Sequence, residues 1–121
     1  MSANILVVDD DPDIRQLTRM TLERLGFTVS LAAGGMEALE RLKSETPDLV
    51  ILDLAMPNQS GTDFFRKLSK DPGLSGIPVI VVSGLAGRHL AVRKPFAVFD
   101  KPIDPEEFGA TVDRALGVAE A

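Results

Sequence analysis

Four carboxylates stand where apolar runs give out. Ile5-Leu6-Val7-Val8 leads directly into Asp9, Asp10 and Asp11, and Leu49-Val50-Ile51-Leu52 leads directly into Asp53. Two more reactive side chains follow later apolar runs. Ser83 comes after Val79-Ile80-Val81-Val82, and Lys101 comes shortly after Ala97-Val98-Phe99. Carboxylates gathered at one place repel one another and need a cation, a proton or a function to hold them there. An acidic, oxygen-rich pocket favours a hard cation, and Mg²⁺ in particular takes one or two carboxylates together with waters and phosphoryl oxygens. A carboxylate can also act as a nucleophile and form an acyl phosphate. A hydroxyl and an ammonium on the far side would then hold the remaining phosphoryl oxygens. Each residue alone has a plainer reading. Asp11 is a helix cap, adjacent aspartates often make a turn, Ser83 is a loop hydroxyl and Lys101 a solvated lysine. Only their joint occurrence points to phosphoryl chemistry.

The elements that must position these groups alternate along the chain. Short apolar runs bounded by polar residues read as buried strands at 5–8, 27–31, 49–52, 78–82 and 97–99. Between them lie helical patterns. The first opens with Asp11 as N-cap and Pro12 at the first helical position, carries Ile14, Leu17, Thr21, Leu22 and Leu25, and stops at Gly26. The second follows Gly34-Gly35 and carries Met36, Leu39 and Leu42. The third is expected near 62–69, with Phe64, Phe65 and Leu68 inward, and Asp71-Pro72-Gly73 reads as a turn. The last is capped by Asp104-Pro105, with Phe108, Val112, Ala115 and Leu116 inward. Such alternation implies a doubly wound α/β fold: a five-stranded parallel sheet of order 2-1-3-4-5, with five helices on its two faces. Its ligand crevice lies beside the first strand at the carboxyl edge. Strands 1 and 3 are neighbours in that order, so Asp9, Asp10 and Asp53 meet, with Ser83 and Lys101 on the same rim.

Composition narrows the function. At 121 residues, one domain is expected. A net charge of −5 argues against nucleic acid as primary partner. The chain has no cysteine and one histidine, His89, which excludes thiolate chemistry, disulfides and a multi-His metal site. No apolar stretch reaches the roughly 18 residues of a membrane span, and no signal-like segment precedes the first strand. A cytoplasmic location with no membrane contact is the expectation.

In these combined motifs the chain resembles the receiver domain of two-component response regulators. The motifs are the strand ending in Asp9-Asp10, Asp53-Leu54-Ala55-Met56-Pro57 followed by Gly61, Val81-Val82-Ser83, and Lys101-Pro102. The resemblance covers essentially the whole chain and implies a flavodoxin-like fold over a single domain, 1–121, with no output domain. It implies that Asp53 is the phosphoacceptor. Asp10 and Asp53 would bind Mg²⁺ directly with the backbone carbonyl of Ala55, and Asp9 through a metal-bound water. Ser83 would be the switch hydroxyl, Lys101 would pair with Asp53, and the Lys101-Pro102 bond would be cis. The partners implied are a sensor histidine kinase or a phosphotransfer protein, and a downstream protein target. Phosphoryl on Asp53 would switch protein binding or pass onward in a relay. The chain would not be an enzyme beyond slow self-dephosphorylation.

The chain departs from the family pattern in places. Val98 stands where a switch aromatic is usual, with Phe96 and Phe99 out of register. The stretch from Ser83 to Lys101 is short by about one helical turn, so the fourth helix is expected to be short or irregular. Ala55 and Leu85 occupy the two positions that set acyl-phosphate lifetime in the family, and neither can orient a hydrolytic water. The basic stretch with Arg88, His89, Arg93 and Lys94 reads as a solvated face or a docking patch. Two other readings stand beside the receiver. One is a receiver-like interaction module independent of phosphate, which the missing aromatic would suit. The other is a haloacid-dehalogenase-like phosphatase using Asp9, against which stand Pro12 and the lack of a later acidic pair.

Overall fold

The computed structural model describes residues 3–53, 60–82, 97–99 and 105–117. These form β1 (Asn4–Val8), α1 (Pro12–Arg24), β2 (Thr28–Ala32), α2 (Gly35–Leu42), β3 (Leu49–Leu52), α3 (Ser60–Lys70), β4 (Val79–Val82), β5 (Ala97–Phe99) and α4 (Pro105–Leu116). The strands make one parallel sheet of order β2-β1-β3-β4-β5. This is the expected doubly wound order. The stretch 83–96, where the short or irregular fourth helix and the basic segment were expected, lies outside the described residues.

The apolar runs are unbroken because both faces of the central strands are covered. Along β1, Leu6 and Val8 join one core with Val50, Leu52, Phe64, Phe65, Leu68 and Val81, backed by Leu39 and Leu42. Ile5 and Val7 point the other way and join Leu22, Ile51, Ile80, Phe108 and Val112. Adjacent side chains on a strand alternate faces, so a strand sandwiched between helix layers has no polar side to show. The edge strand β2 is only partly buried along most of its length, which fits its mixed sequence, Thr28-Val29-Ser30-Leu31-Ala32.

Capping follows the sequence closely. The Asp11 side chain accepts from the Asp13 and Ile14 amides, at 2.9 and 3.3 Å, and Pro12 stands in the first turn of α1. After the Leu25 C-cap, Gly26 takes φ +99°, the left-handed conformation that ends the helix. The Gly73 amide donates to Asp71 Oδ1 at 2.8 Å and closes the expected turn.

Three details differ from expectation. The stripe of α1 turned toward the sheet runs along Ile14, Thr18 and Leu22, an i, i+4 row, and only Leu22 is fully buried. Leu17 and Leu25 are 60% and 51% exposed. Their spacing is helical, but the sheet sees the neighbouring row. Met36 is likewise exposed, because α2 packs through Gly35, Ala38, Leu39 and Leu42 instead. Helix α3 starts at Ser60, two residues before the expected Thr62. Among the described residues, no helix is long and apolar enough to cross a membrane.

Candidate functional site

Strand register builds the site. Val8 pairs with Leu52 and with Ala32. The ladder continues one step further, with the Asp53 amide donating to the Val8 carbonyl at 3.0 Å and the Asp9 amide to the Ala32 carbonyl at 3.1 Å. Asp9 and Asp53 therefore leave adjacent strands side by side at the carboxyl edge. This is the switch point of the sheet, where the chain proceeds from β1 to β2 on one side and places β3 on the other. Open α/β sheets bind ligands in that crevice.

Asp9, Asp10 and Asp53 each offer a carboxylate oxygen, and the three oxygens lie within 4.8 Å of one another. Asp9 and Asp53 are only 5% and 4% exposed, whereas Asp10 faces solvent. The buried pair carries the electrostatic cost: two unit charges at this separation repel by about 3.5 kcal/mol at an effective dielectric constant of 20. All the donors in the trio are hard oxygens, the chemistry that Mg²⁺ and similar ions take. Two oxygens on one Mg²⁺ lie roughly 3–4 Å apart, given metal–oxygen bonds near 2.1 Å. A cluster held within 4.8 Å needs only small carboxylate rotations to reach that spacing. The donor set thus fits a divalent cation.

The loop after β1 is tied down on several sides. Asp9 Oδ1 accepts the Asp11 amide at 2.9 Å, and the Asp9 backbone carbonyl accepts Nη1 of Arg15 at 2.7 Å. Asp11 spends its own carboxylate on the α1 cap and stands outside the trio, as its position predicts. Arg15 had no role in the sequence reading. The available signal was its place in the first turns of α1, on the side facing the strand end.

Of the other expected site residues, Ala55, Ser83 and Lys101 lie outside the described residues, as does the Lys101-Pro102 bond. The strands that precede them are described: β4 ends at Val82 and β5 at Phe99, paired with each other, and Val98 pairs with Val81.

Fold and site together define an open α/β protein with an acidic, cation-fitting crevice at the switch point of its sheet. Residues 5–113 match the family model of the response regulator receiver domain, and the chain belongs to that family. It is 39% identical over 116 residues to Protein Rrf1 of Nitratidesulfovibrio vulgaris, covering 96% of this chain and 84% of that protein. Among solved structures, it is similar to the signal receiver domain of a signal transduction histidine kinase from Syntrophus aciditrophicus. That likeness has a TM-score of 0.86 and 30% identity, over 96% of this chain and 91% of that one. The receiver domain of a sensor histidine kinase from Pseudomonas aeruginosa PAO1 shares the fold at a TM-score of 0.85 and 20% identity, over 97% of this chain and 99% of that one. That structure has a magnesium ion coordinated in its active site cleft. Family membership leaves the phosphatase reading on Asp9 without support. The chain is a receiver domain, the phosphoacceptor module of two-component signalling.

Proposed function

We propose that Asp53 is the residue that takes the phosphoryl group, from a partner phosphohistidine on a sensor kinase or phosphotransfer protein. The observation that carries this reading is the carboxylate trio at the ends of β1 and β3, held within 4.8 Å with Asp53 at its buried side. In the transfer, an Asp53 carboxylate oxygen bonds to phosphorus as the phosphorus–nitrogen bond breaks, and the departing imidazole keeps the electron pair and takes up a proton. The backbone supports this reading, since the Asp53 amide donates to the Val8 carbonyl and holds the residue at the carboxyl edge of the sheet. Asp10 and Asp53, with the Ala55 carbonyl, would hold Mg²⁺ directly, and Asp9 would act through a bound water. When bound, the ion supplies charge neutralisation for the carboxylates and the incoming phosphoryl oxygens. Ser83 and Lys101 are proposed to receive the phosphoryl oxygens from the side of β4 and β5. The phosphorylated form would then bind a protein target or pass phosphoryl onward, in the cytoplasm and without contacting nucleic acid.

The test is incubation with acetyl phosphate and Mg²⁺, followed by mapping of the acyl phosphate by borohydride trapping and mass spectrometry. Label at Asp53, lost in D53N, is expected. Label at another aspartate would refute the assignment. A parallel beryllofluoride titration followed by NMR separates the phosphate-independent module: no shift change with Mg²⁺ and beryllofluoride would favour that module.

A further inference from the structure

The β1–α1 connection carries two of the three acids, and its peptide planes are held one after another. The Val8–Asp9 peptide is fixed by the sheet, through the Asp9 amide to Ala32 and the Val8 carbonyl to the Asp53 amide. The Asp10–Asp11 peptide is fixed by the Asp11 amide bonding to Asp9 Oδ1 at 2.9 Å. Between them lies the Asp9–Asp10 peptide. Its carbonyl is taken by the Arg15 guanidinium at 2.7 Å, a short, charge-assisted bond. The Arg15 amide also donates to the Asp11 carbonyl at 2.9 Å. That backbone bond is the first i→i−4 bond of α1, so it seats in the helix the residue whose guanidinium reaches back to the loop.

A peptide unit is planar, so fixing its oxygen also fixes its N–H, which belongs to Asp10. That sets the backbone direction from which the Asp10 side chain departs. Asp10 is the exposed member of the trio, while Asp9 and Asp53 are held by burial. It therefore has the most to lose from a loose loop. We propose that Arg15 is a positioning residue for cation binding: it clamps the Asp9–Asp10 peptide so that the Asp10 carboxylate is aimed at the site before the metal arrives. This rests on the reading of the trio as the Mg²⁺ and phosphoryl site. A metal site depends on groups that orient its ligands, and loss of such a partner typically costs 10–100-fold in affinity.

A charge-only role predicts the opposite sign. A fixed guanidinium beside a cation site repels the ion, so its removal would tighten Mg²⁺ binding. A role confined to packing predicts no change when the aliphatic stem is retained. The variants R15M and R15K, in the full chain, separate these roles. Methionine retains stem volume without charge or donor, and lysine returns a charged donor on a less rigid head. Amide hydrogen exchange at Asp10 and Asp11 is measured by NMR in EDTA, and Mg²⁺ affinity by titration of the same amide resonances. Circular dichroism melts verify folding.

The clamp predicts faster exchange of the Asp11 amide in R15M and Mg²⁺ binding weakened about 10-fold, with R15K recovering part of both. Tighter Mg²⁺ binding in R15M, or exchange at Asp10 and Asp11 equal to wild type, overturns the proposal. If the wild-type protein shows no Mg²⁺ response, the proposed metal site fails, while the exchange measurement in EDTA still decides whether Arg15 holds the loop.

Discussion

Asp53→Asn should stabilise the metal-free protein. The side chain keeps its shape and loses its charge, at a site 4% exposed beside Asp9 at 5% exposure. With oxygens inside 4.8 Å, the pair's repulsion is about 3.5 kcal/mol at a dielectric constant of 20. Solvent entering beside exposed Asp10, relaxation of the carboxylates, and the favourable contacts that Asp9 and Asp53 keep in the fold all reduce this. A net gain of about 1–2 kcal/mol is expected, and Asp10 adds little because solvent screens its exposed carboxylate. For a chain of this size that corresponds to a rise in Tm of about 4–8 °C. The chain has no Trp or Tyr, so melts are best followed by far-UV circular dichroism or calorimetry, in EDTA at low salt. Saturating Mg²⁺ should close the gap. The wild type gains about 1.4 kcal/mol at ten times its dissociation constant, whereas D53N, with a ligand neutralised, gains less. A D53N protein that melts at or below wild type in EDTA would refute the reasoning. It would mean that the acids are already neutralised without metal, as by the lysine expected at Lys101.

Asp11→Ala should cost about 1 kcal/mol through loss of the α1 cap and leave Mg²⁺ affinity within about twofold, because Asp11 bonds the Asp13 and Ile14 amides and stands outside the trio; denaturant melts and an Mg²⁺ titration test the two halves separately. Gly26→Ala places a β-carbon at φ +99° and should destabilise by about 1 kcal/mol although no atom lies in its way, which equilibrium unfolding would detect. Phe65→Ala removes a fully buried ring from the core against α3 and should cost about 3–5 kcal/mol, measured by urea denaturation at fixed Mg²⁺. The phosphorylated protein should lose its phosphoryl group slowly, because Ala55 and Leu85 offer no group to orient water; radiolabel or Phos-tag decay with a half-life of seconds in the isolated chain would contradict this.

Much of the fold could be read from the chain because its local signals agree. Unbroken apolar runs at β1, β3 and β4 required helices on both sides, and the two cores now account for every apolar side chain of those strands. Asp11-Pro12 and Gly26 marked the ends of α1 to within a residue. The third helix was harder, since Ser60 and Gly61 carry no apolar period by which to extend it. For α1, periodicity found a stripe but not which flank of it would face the sheet. Leu17 and Ile14 are equally apolar, and the choice between them depends on where β1 and β2 lie.

The carboxylates show the division most clearly. Sequence alone determined that acids follow strands 1 and 3, and the doubly wound order made those strands neighbours. Only the tertiary structure decided the register, Val8 against Leu52, which sets Asp9 and Asp53 level instead of a residue apart. A slip of one residue would have turned one of them to the opposite face. It also decided that Arg15 reaches back to the Asp9 carbonyl. That contact joins a helix to the strand before it across a turn, and its geometry exists only once α1 has docked against the sheet. Residue type is a local property and can be read locally, whereas register and reach are distances between elements and are fixed by packing.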